Sequence, residues 1–167
     1  MRFFPACLLT LCLTSLPALG NTISIASTPG HFQAKTLGQA HVKQQFEATF
    51  QLTEFRGTSA WPAGAYIGFH EGVNRDNSFQ FLLVRNNPSD AQLALGYRVV
   101  KDGKEQSAKF IKWVPLDAKV RVMLSINRGL VSMRIGDAPP IQIPTSLNQV
   151  APYTSVSSGT ANFDVLP

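Results

Sequence analysis

The sequence has little cysteine and no long apolar run after its first twenty residues. Its two cysteines, Cys7 and Cys12, both lie in that N-terminal stretch, so no disulfide can form within residues 21–167. No later apolar run approaches the roughly 20 residues that a membrane-spanning helix needs. Residues 21–167 are numerous enough to form one hydrophobic core. These absences predict a single soluble domain without a membrane span.

The signatures of nucleophilic and zinc chemistry are also missing. Without a cysteine in residues 21–167 and without a G-x-S-x-G motif, no thiol or serine nucleophile can be recognised. The histidines, His31, His41 and His70, are too scattered to form a zinc signature. No catalytic residue is therefore assigned from these motifs.

Glycosidase chemistry needs two carboxylates, about 5–5.5 Å apart for retention or about 6.5–9.5 Å for inversion. The strand pattern E-x-D-x-x-E, which can place such a pair on one face, does not occur. Glu47 and Glu54 point to opposite faces of one predicted strand unless a bulge intervenes. Glu54 with Glu71, or Glu71 with Asp76, can still meet through loops, so hydrolysis stays open as an alternative.

The first twenty residues have the three parts of a secretory signal peptide. Met1-Arg2 is the charged start, residues 3–16 are apolar, and Ala18-Leu19-Gly20 supplies small residues at the cleavage spacing. Cleavage near Gly20 predicts a periplasmic or secreted protein. The absence of an N-x-[ST] glycosylation acceptor favours a bacterial origin.

Apolar and polar residues alternate with a period of two along most of residues 21–167, and no stretch has a helical period. In residues 42–55, for example, Phe46, Ala48, Phe50 and Leu52 alternate with polar residues. About ten to twelve short strands separated by turn signals predict an all-β fold, a two-sheet antiparallel β-sandwich of the jelly-roll type. Residues 155–166 are predicted to form the closing strand.

Residues 119–136 predict a long hairpin with Arg128-Gly129 as a two-residue turn. This turn places apolar residues opposite one another on one face, pairing Ile126 with Val131, Leu124 with Met133 and Val122 with Ile135. A slip of one residue would separate the apolar residues onto opposite faces, so pattern and turn agree on one register.

Asp102-Gly103 predicts a second hairpin turn. A two-residue turn at this position pairs Leu95 with Phe110 and Tyr97 with Ala108 as core contacts, and it places Trp113 across from Gln92.

Sugar binding requires exposed aromatic faces with polar side chains beside them. Trp61, in the loop before Pro62, and Trp113 are the candidate stacking residues, although both tryptophans can instead close the ends of the core. The polar candidates on strand faces are Gln51, Tyr66, His70, Gln80 and Arg98.

Residues 71–77 form a polar loop whose oxygen donors suit a calcium ion. The candidate metal ligands are Glu71, Asp76 and Asn77, with Asn74 between them. Their spacing is not that of an EF-hand, and the same composition is typical of an ordinary loop. No other cofactor is expected.

The chain carries fifteen Lys and Arg against ten Asp and Glu, and removal of Arg2 with the signal leaves 14 − 10 = +4. This excess favours anionic surfaces such as acidic polysaccharide. A basic stretch lies around the second hairpin, at Lys101, Lys104, Lys109 and Lys112. It suits an anionic glycan or simply protects a sheet edge from aggregation, whereas nucleic acid is not expected, because no fold motif for it is present.

The order of these segments is similar to that of a known superfamily. The segments QFEATFQL, AYIGF, FQFLLV, KVRVMLSINRGLVSMRIG and GTANFDV together resemble the concanavalin A-like lectin and glucanase superfamily, including laminin G-like modules. The resemblance implies a jelly roll and either sugar binding, adhesion or glycoside hydrolysis. We therefore expect an exported, non-catalytic carbohydrate-recognition or adhesion module. The alternatives are a small glycoside hydrolase of the same fold and an envelope domain that binds a protein partner.

Overall fold

The computed structural model describes residues 20–73 and 75–166, so the predicted signal peptide, apart from Gly20, lies outside the described residues. All regular elements in the described part are β-strands. In chain order they are β1 (Asn21–Ala26), β2 (Phe32–Thr36), β3 (Lys43–Phe55), β4 (Ala63–Glu71), β5 (Asn77–Arg85), β6 (Gln92–Lys101), β7 (Lys104–Pro115), β8 (Val120–Asn127), β9 (Leu130–Ile135), β10 (Ile141–Pro144), β11 (Ala151–Ser157) and β12 (Gly159–Leu166).

The strands form two antiparallel six-stranded sheets that pack face to face. Sheet A has the order β1-β12-β3-β8-β9-β10, and sheet B has the order β2-β11-β4-β5-β6-β7. Aromatic rings join the sheets, since Phe46 of β3 packs edge-on against Phe69 of β4 at 5.4 Å between ring centroids. This arrangement confirms the predicted jelly-roll sandwich. Among residues 20–73 and 75–166, no helix is long and apolar enough to cross a membrane.

The hairpin of β8 and β9 has the register that its sequence predicts. Ile126 pairs with Val131, Leu124 with Met133 and Val122 with Ile135. The turn residues Arg128 and Gly129 have φ angles of 48° and 77°, as a two-residue hairpin turn of mirror-image type requires.

The register predicted for the β6–β7 hairpin is wrong. The turn at Asp102-Gly103 forms, but two bulges shift the pairing between Leu95 and Gly96 and between Val99 and Val100. As a result Phe110 pairs with Gly96 rather than Leu95, and Ala108 pairs with Arg98 rather than Tyr97. Trp113 lies opposite Ala94 and not Gln92. Each bulge adds one residue to β7 and moves the residues beyond it along the partner strand.

β11 was not predicted as a separate strand, although it lies inside sheet B between β2 and β4. Its residues are buried on both faces, so they do not alternate. The predicted closing strand, residues 155–166, therefore belongs to two sheets. The chain passes from sheet B to sheet A at Ser158, which has a φ angle of 45°, and β12 continues in sheet A.

Candidate functional site

The outer face of sheet B, which points away from the core, gathers most of the polar candidates. Strand pairing places three of the candidate side chains close together on this face. Gln80 of β5 pairs with Arg98 of β6, and Tyr66 of β4 pairs with Leu82, two residues after Gln80 on β5. His70 lies at the end of the same face, paired with Ser78. Four of the five polar candidates, Tyr66, His70, Gln80 and Arg98, therefore share one surface, whereas Gln51 lies on sheet A.

A groove runs over β5, β6 and β7 on this face, with a volume of about 400 Å³. Its size is within the range of small-molecule sites. Tyr66 and Phe110 contribute aromatic surface, and Arg98, Glu105 and Lys109 contribute charge. The remaining lining residues are Pro62, Leu82, Val84, Asn86, Ala94, Leu95, Gly96, Tyr97 and Ala108. We call this surface the β5–β7 groove.

Small residues on β6 and on the edge strand β7 make room for the groove. Ala94 and Gly96 of β6 and Ala108 of β7 lie where larger side chains would fill the space. A side chain at Gly96 is also excluded by the neighbouring strand, because its Cβ would lie 2.6 Å from the carbonyl oxygen of Lys109. The groove thus has a mostly apolar floor bordered by aromatic and charged side chains.

Phe110 is the residue that sequence reasoning missed, because the predicted register placed it in the core. The side chain is 53% exposed, and its ring centroid lies 5.1 Å from that of Trp113. The adjacent apolar pair Phe110-Ile111 breaks the alternation of β7, and this was the sequence signal for the bulge. The two rings form an exposed aromatic pair on β7.

Arg98 is half-buried and held in a fixed position. Its Nε donates to Oε1 of Gln80 at 2.7 Å, and Nε2 of Gln80 donates to Oγ of Ser78 at 2.9 Å. The guanidinium carbon lies 5.4 Å from the centroid of the Tyr66 ring, in a cation–π arrangement. Arg98 therefore presents its terminal nitrogens from a rigid support.

Tyr66 is held in place by contacts of its ring and its hydroxyl group with neighbouring side chains. Its ring packs against Phe32 at 5.9 Å, and its hydroxyl lies 3.3 Å from Oγ of Ser157. Ser157 donates to the carbonyl oxygen of Pro62, so Tyr66 is the donor in the pair with Ser157. Only a small part of Tyr66 reaches the groove, which makes Phe110 the larger exposed aromatic surface.

His70 is buried, and both of its ring nitrogens have partners. Nδ1 lies 2.9 Å from the carbonyl oxygen of Gly72 and must donate to it, so Nε2 accepts from the hydroxyl of Thr36 at 3.2 Å. Burial lowers the pKa of His70, and the positive charge of Arg75 lowers it further, although the hydrogen bond to Gly72 opposes them. His70 is thus a neutral, structural side chain with little surface for a sugar.

Acidification should destabilise the protein through His70. Its pKa is lowered in the folded state from an ordinary value of 6.5, so the unfolded state takes up the proton first as the pH falls. Stability from this group is therefore present above about pH 6.5 and is lost below it. We expect the melting temperature to fall between about pH 7 and about pH 5, and to fall less for His70→Gln. His41→Gln replaces an exposed histidine, and its melting temperature should depend on pH as that of the wild type does. If the melting temperatures of wild type, His70→Gln and His41→Gln fell equally with pH, this role of His70 would be contradicted.

Tyr153 lies beside His70, with 5.2 Å between ring centroids, and is fully buried under the outer face. Burial raises the pKa of the Tyr153 phenol, while the positive charges of Arg98 and Arg75 lower it. The guanidinium carbon of Arg75 lies 5.8 Å from the ring centroid of Tyr153. Two arginines therefore approach this part of sheet B.

Two other predicted sugar contacts lie outside the groove. Gln51 is on the outer face of sheet A, where its Nε2 donates to the carbonyl oxygen of Asp117 at 3.0 Å. Trp61 is 46% exposed in a turn closed by hydrogen bonds with Thr58, and the next residue, Pro62, lines the groove. Trp61 thus neighbours one part of the groove lining, whereas Gln51 is on the opposite side of the sandwich.

Trp113 is 49% exposed at the edge of sheet B, next to Phe110. It lines a smaller depression of about 220 Å³ together with Asp90, Ala91 and Gln92. The structure therefore brings Tyr66, Arg98 and Trp113 onto one face, with Trp113 at its edge.

The candidate metal ligands mostly bind backbone groups. The Glu71 carboxylate accepts from the backbone nitrogens of Asn148 and Gln149, and Oδ1 of Asn77 accepts from the nitrogen of Asp102 at 2.9 Å. Within the two described ranges, no group of three or more His, Cys, Asp or Glu side chains is placed to hold a metal ion. Asn74 lies outside the described residues. Glu71 and Asn77 therefore hold neighbouring backbone segments in place through hydrogen bonds.

A bulge in β3, opposite Thr160 and Ala161, brings Glu47 and Glu54 onto the same outer face of sheet A. They remain seven residues apart on an extended strand, which is roughly 20 Å. Each forms an ion pair with an arginine, Glu47 with Arg121 and Glu54 with Arg56. These two carboxylates are too far apart for either glycosidase mechanism.

The fold is found in solved structures of low sequence identity. The carbohydrate binding module CBM66 from Bacillus subtilis is 12% identical, with a TM-score of 0.56 over 88% of this chain and 92% of that one. The Emp46p carbohydrate recognition domain is 13% identical, with a TM-score of 0.53 over 88% of both chains. An alginate lyase from Alteromonas sp.272 is 9% identical, with a TM-score of 0.53 over 77% of this chain and 71% of that one.

Comparison with protein-family models gives no match, and comparison with curated sequences gives none either. The structural similarities agree with the resemblance seen in the order of the strands. They include carbohydrate-binding modules, lectin domains and a lyase, which share architecture across different activities. The chain has the jelly-roll β-sandwich fold that these solved structures share.

Proposed function

We propose that this chain is an exported, lectin-like module that binds a glycan in the β5–β7 groove without cleaving it. The observation that carries the proposal is the groove itself, where the exposed ring of Phe110 and the fixed guanidinium of Arg98 border an apolar floor. The sugar-binding proteins among the structural neighbours support the same class of ligand. Export rests on the N-terminal sequence, which predicts a periplasmic or secreted location.

The groove combines the two kinds of contact that a pyranose ring needs. The apolar C–H face of a sugar packs on aromatic and aliphatic surface, which Phe110 and Leu82 supply. Its hydroxyl groups need polar partners in fixed positions, which Arg98 and Asn86 supply at the same surface. A ligand in this position would contact β5, β6 and β7 together.

The carboxylates of the groove favour binding over hydrolysis. Glu105 is the one acidic side chain among the described residues that line it. Hydrolysis with either stereochemical outcome requires a second carboxylate within about 10 Å of the first. The alternative of a small glycoside hydrolase therefore has less support than a binding module.

Removing the exposed aromatic ring should reduce glycan binding. We expect Phe110→Ala to lower the affinity for the best ligand of a broad glycan array about tenfold, because the stacking surface is lost. Leu130→Ala is the matched control, since Leu130 is also exposed but lies on β9 of sheet A. It should bind as the wild type does, and titration calorimetry measures both variants.

Trp61→Ala tests whether the site extends past Pro62. It should weaken binding of long oligosaccharides and leave disaccharide binding unchanged, because Trp61 is exposed but does not line the groove. Equal binding of folded wild type, Phe110→Ala and Leu130→Ala would contradict the groove as the site. If no glycan on the array bound, a protein partner would be favoured instead. If the oligosaccharides were cleaved to shorter products, hydrolysis would be favoured.

A further inference from the structure

We infer that the glycan bound in the β5–β7 groove is acidic, a polymer with carboxylate or sulfate groups, and that Arg98 binds the acidic group. The inference rests on the proposed function and adds the class of ligand to it.

Arg98 is a half-buried cation whose fixed partner is neutral. Its Nε is used by the amide oxygen of Gln80. The ion pairs found within residues 20–73 and 75–166 are Arg56 with Glu54 and Arg121 with Glu47, so no described carboxylate lies within 4.0 Å of the Arg98 guanidinium. The terminal nitrogens of Arg98 therefore remain as donors for an anion from outside the chain.

Holding a partly desolvated cation without an anion is unfavourable. A carboxylate or sulfate group relieves this, because its two oxygens match the parallel N–H donors of a guanidinium. The Gln80 bond and the stacking over Tyr66 hold the guanidinium plane in place before any ligand arrives. Such preorganisation favours recognition of a planar acidic group over a single sugar hydroxyl.

The lining of the β5–β7 groove carries more positive than negative charge. Lys109 also lines the groove, and it pairs with Tyr97 of β6, next to Arg98 in the chain. Outside the groove, Arg75 adds a positive charge beside Tyr153, on which Arg98 also acts. Among the described groove-lining residues, the two basic residues Arg98 and Lys109 stand against one acidic residue, Glu105. This excess of positive charge favours the approach of a polyanion to the groove.

The test compares polymers that differ only in charge. Purified protein is titrated with polygalacturonate and its carboxyl-reduced form, with dextran sulfate and dextran, and with single-stranded DNA. We expect at least one acidic polymer to bind about tenfold or more tighter than its neutral counterpart, with the advantage decreasing as salt is raised. Single-stranded DNA should bind more weakly than that acidic polymer.

Single substitutions in the protein test which residue binds the acidic group of the polymer. Arg98→Gln should remove most of the preference for the acidic polymer, and Arg98→Lys should restore only part of it, because an ammonium group lacks the planar donor pair. Lys109→Gln should lower affinity about two- to fivefold. Lys43→Gln makes the same charge change on β3 of sheet A and should have no effect. Melting temperatures show that each variant is folded.

Equal binding of acidic and neutral polymers would overturn the inference and leave the proposed glycan site intact. Absence of binding to every polymer and to the glycan array would overturn both. If Lys43→Gln and Lys109→Gln lowered the affinity for the acidic polymer equally, the attraction would depend on the overall charge of the protein. That result contradicts a binding site at Arg98. Tightest binding to DNA, dependent on Arg98, would show a nucleic-acid site and overturn the inference as well.

Discussion

Replacing Phe50 with alanine is expected to lower the free energy of unfolding by about 3–5 kcal/mol. Phe50 is 1% exposed on β3, at the centre of sheet A. Its ring packs edge-on against Phe81 of sheet B at 5.7 Å and lies parallel to Phe163 of β12 at 5.9 Å. Truncation leaves a cavity where the two sheets meet, and rigid strands on both sides cannot collapse to fill it.

Equilibrium unfolding in urea measures this change, and Phe110→Ala is the matched control. The same atoms are removed in both variants, but Phe110 is 53% exposed and lies on the outer face. Its loss should change the free energy of unfolding by less than about 1 kcal/mol. If the two variants were equally destabilised, Phe50 would not occupy the centre of the core. The control also shows that loss of glycan binding by Phe110→Ala is not a loss of folding.

Replacing Gly68 with alanine should have the second large effect, about 2–3 kcal/mol or more of destabilisation. A Cβ at this position would lie 2.0 Å from the carbonyl oxygen of Phe79 on the adjacent strand. No side-chain rotation relieves this contact, because both groups belong to paired backbones. β4 and β5 would have to separate at the centre of sheet B, next to Tyr66 and Gln80.

Gly38→Ala is the control for this variant, because its Cβ would have Pro152 Cγ as its nearest neighbour at 3.8 Å, an ordinary contact. It should change stability by no more than about 0.5 kcal/mol. Amide hydrogen exchange then shows which strands of Gly68→Ala are destabilised. Amides of β4 and β5 should exchange faster, while those of β8 and β9 in the other sheet should change less. Wild-type stability of Gly68→Ala would contradict the close approach of these two strands.

Gly68→Ala also connects stability to the proposed site. Gln80, which holds Arg98, pairs with Gly68 across the two strands. A shift of β5 away from β4 would therefore move Arg98 relative to Tyr66. We expect any Gly68→Ala protein that still folds to lose affinity for an acidic glycan, whereas Gly38→Ala should retain it.

The β8–β9 hairpin shows what local pattern determines. The turn at Arg128-Gly129 and the apolar alternation on both sides of it agree on one register, and the structure has that register. Alternation likewise placed Tyr66 and His70 on one face of β4, since the side-chain period of a strand is two. Such features depend on neighbours in the sequence, so the sequence alone predicts them.

The β6–β7 hairpin shows where local pattern fails. Its turn was predicted correctly, but bulges moved Phe110 from a predicted core position to the outer face. A bulge depends on how the partner strand and the packed sheet accommodate an extra residue. The groove could not be predicted for this reason, although Arg98 and Tyr66, which also line it, were both named from the sequence.

The sequence by itself determined the all-β class, most of the strands and the face to which many side chains point, because these depend on period and turn chemistry. Only the tertiary structure decided which strands share a sheet, since β11 and β12 are adjacent in the chain yet lie in different sheets. It also separated Gln51 from Arg98 and Tyr66, on opposite sides of the sandwich. Long-range pairing makes that choice, and single-strand patterns carry no information about it.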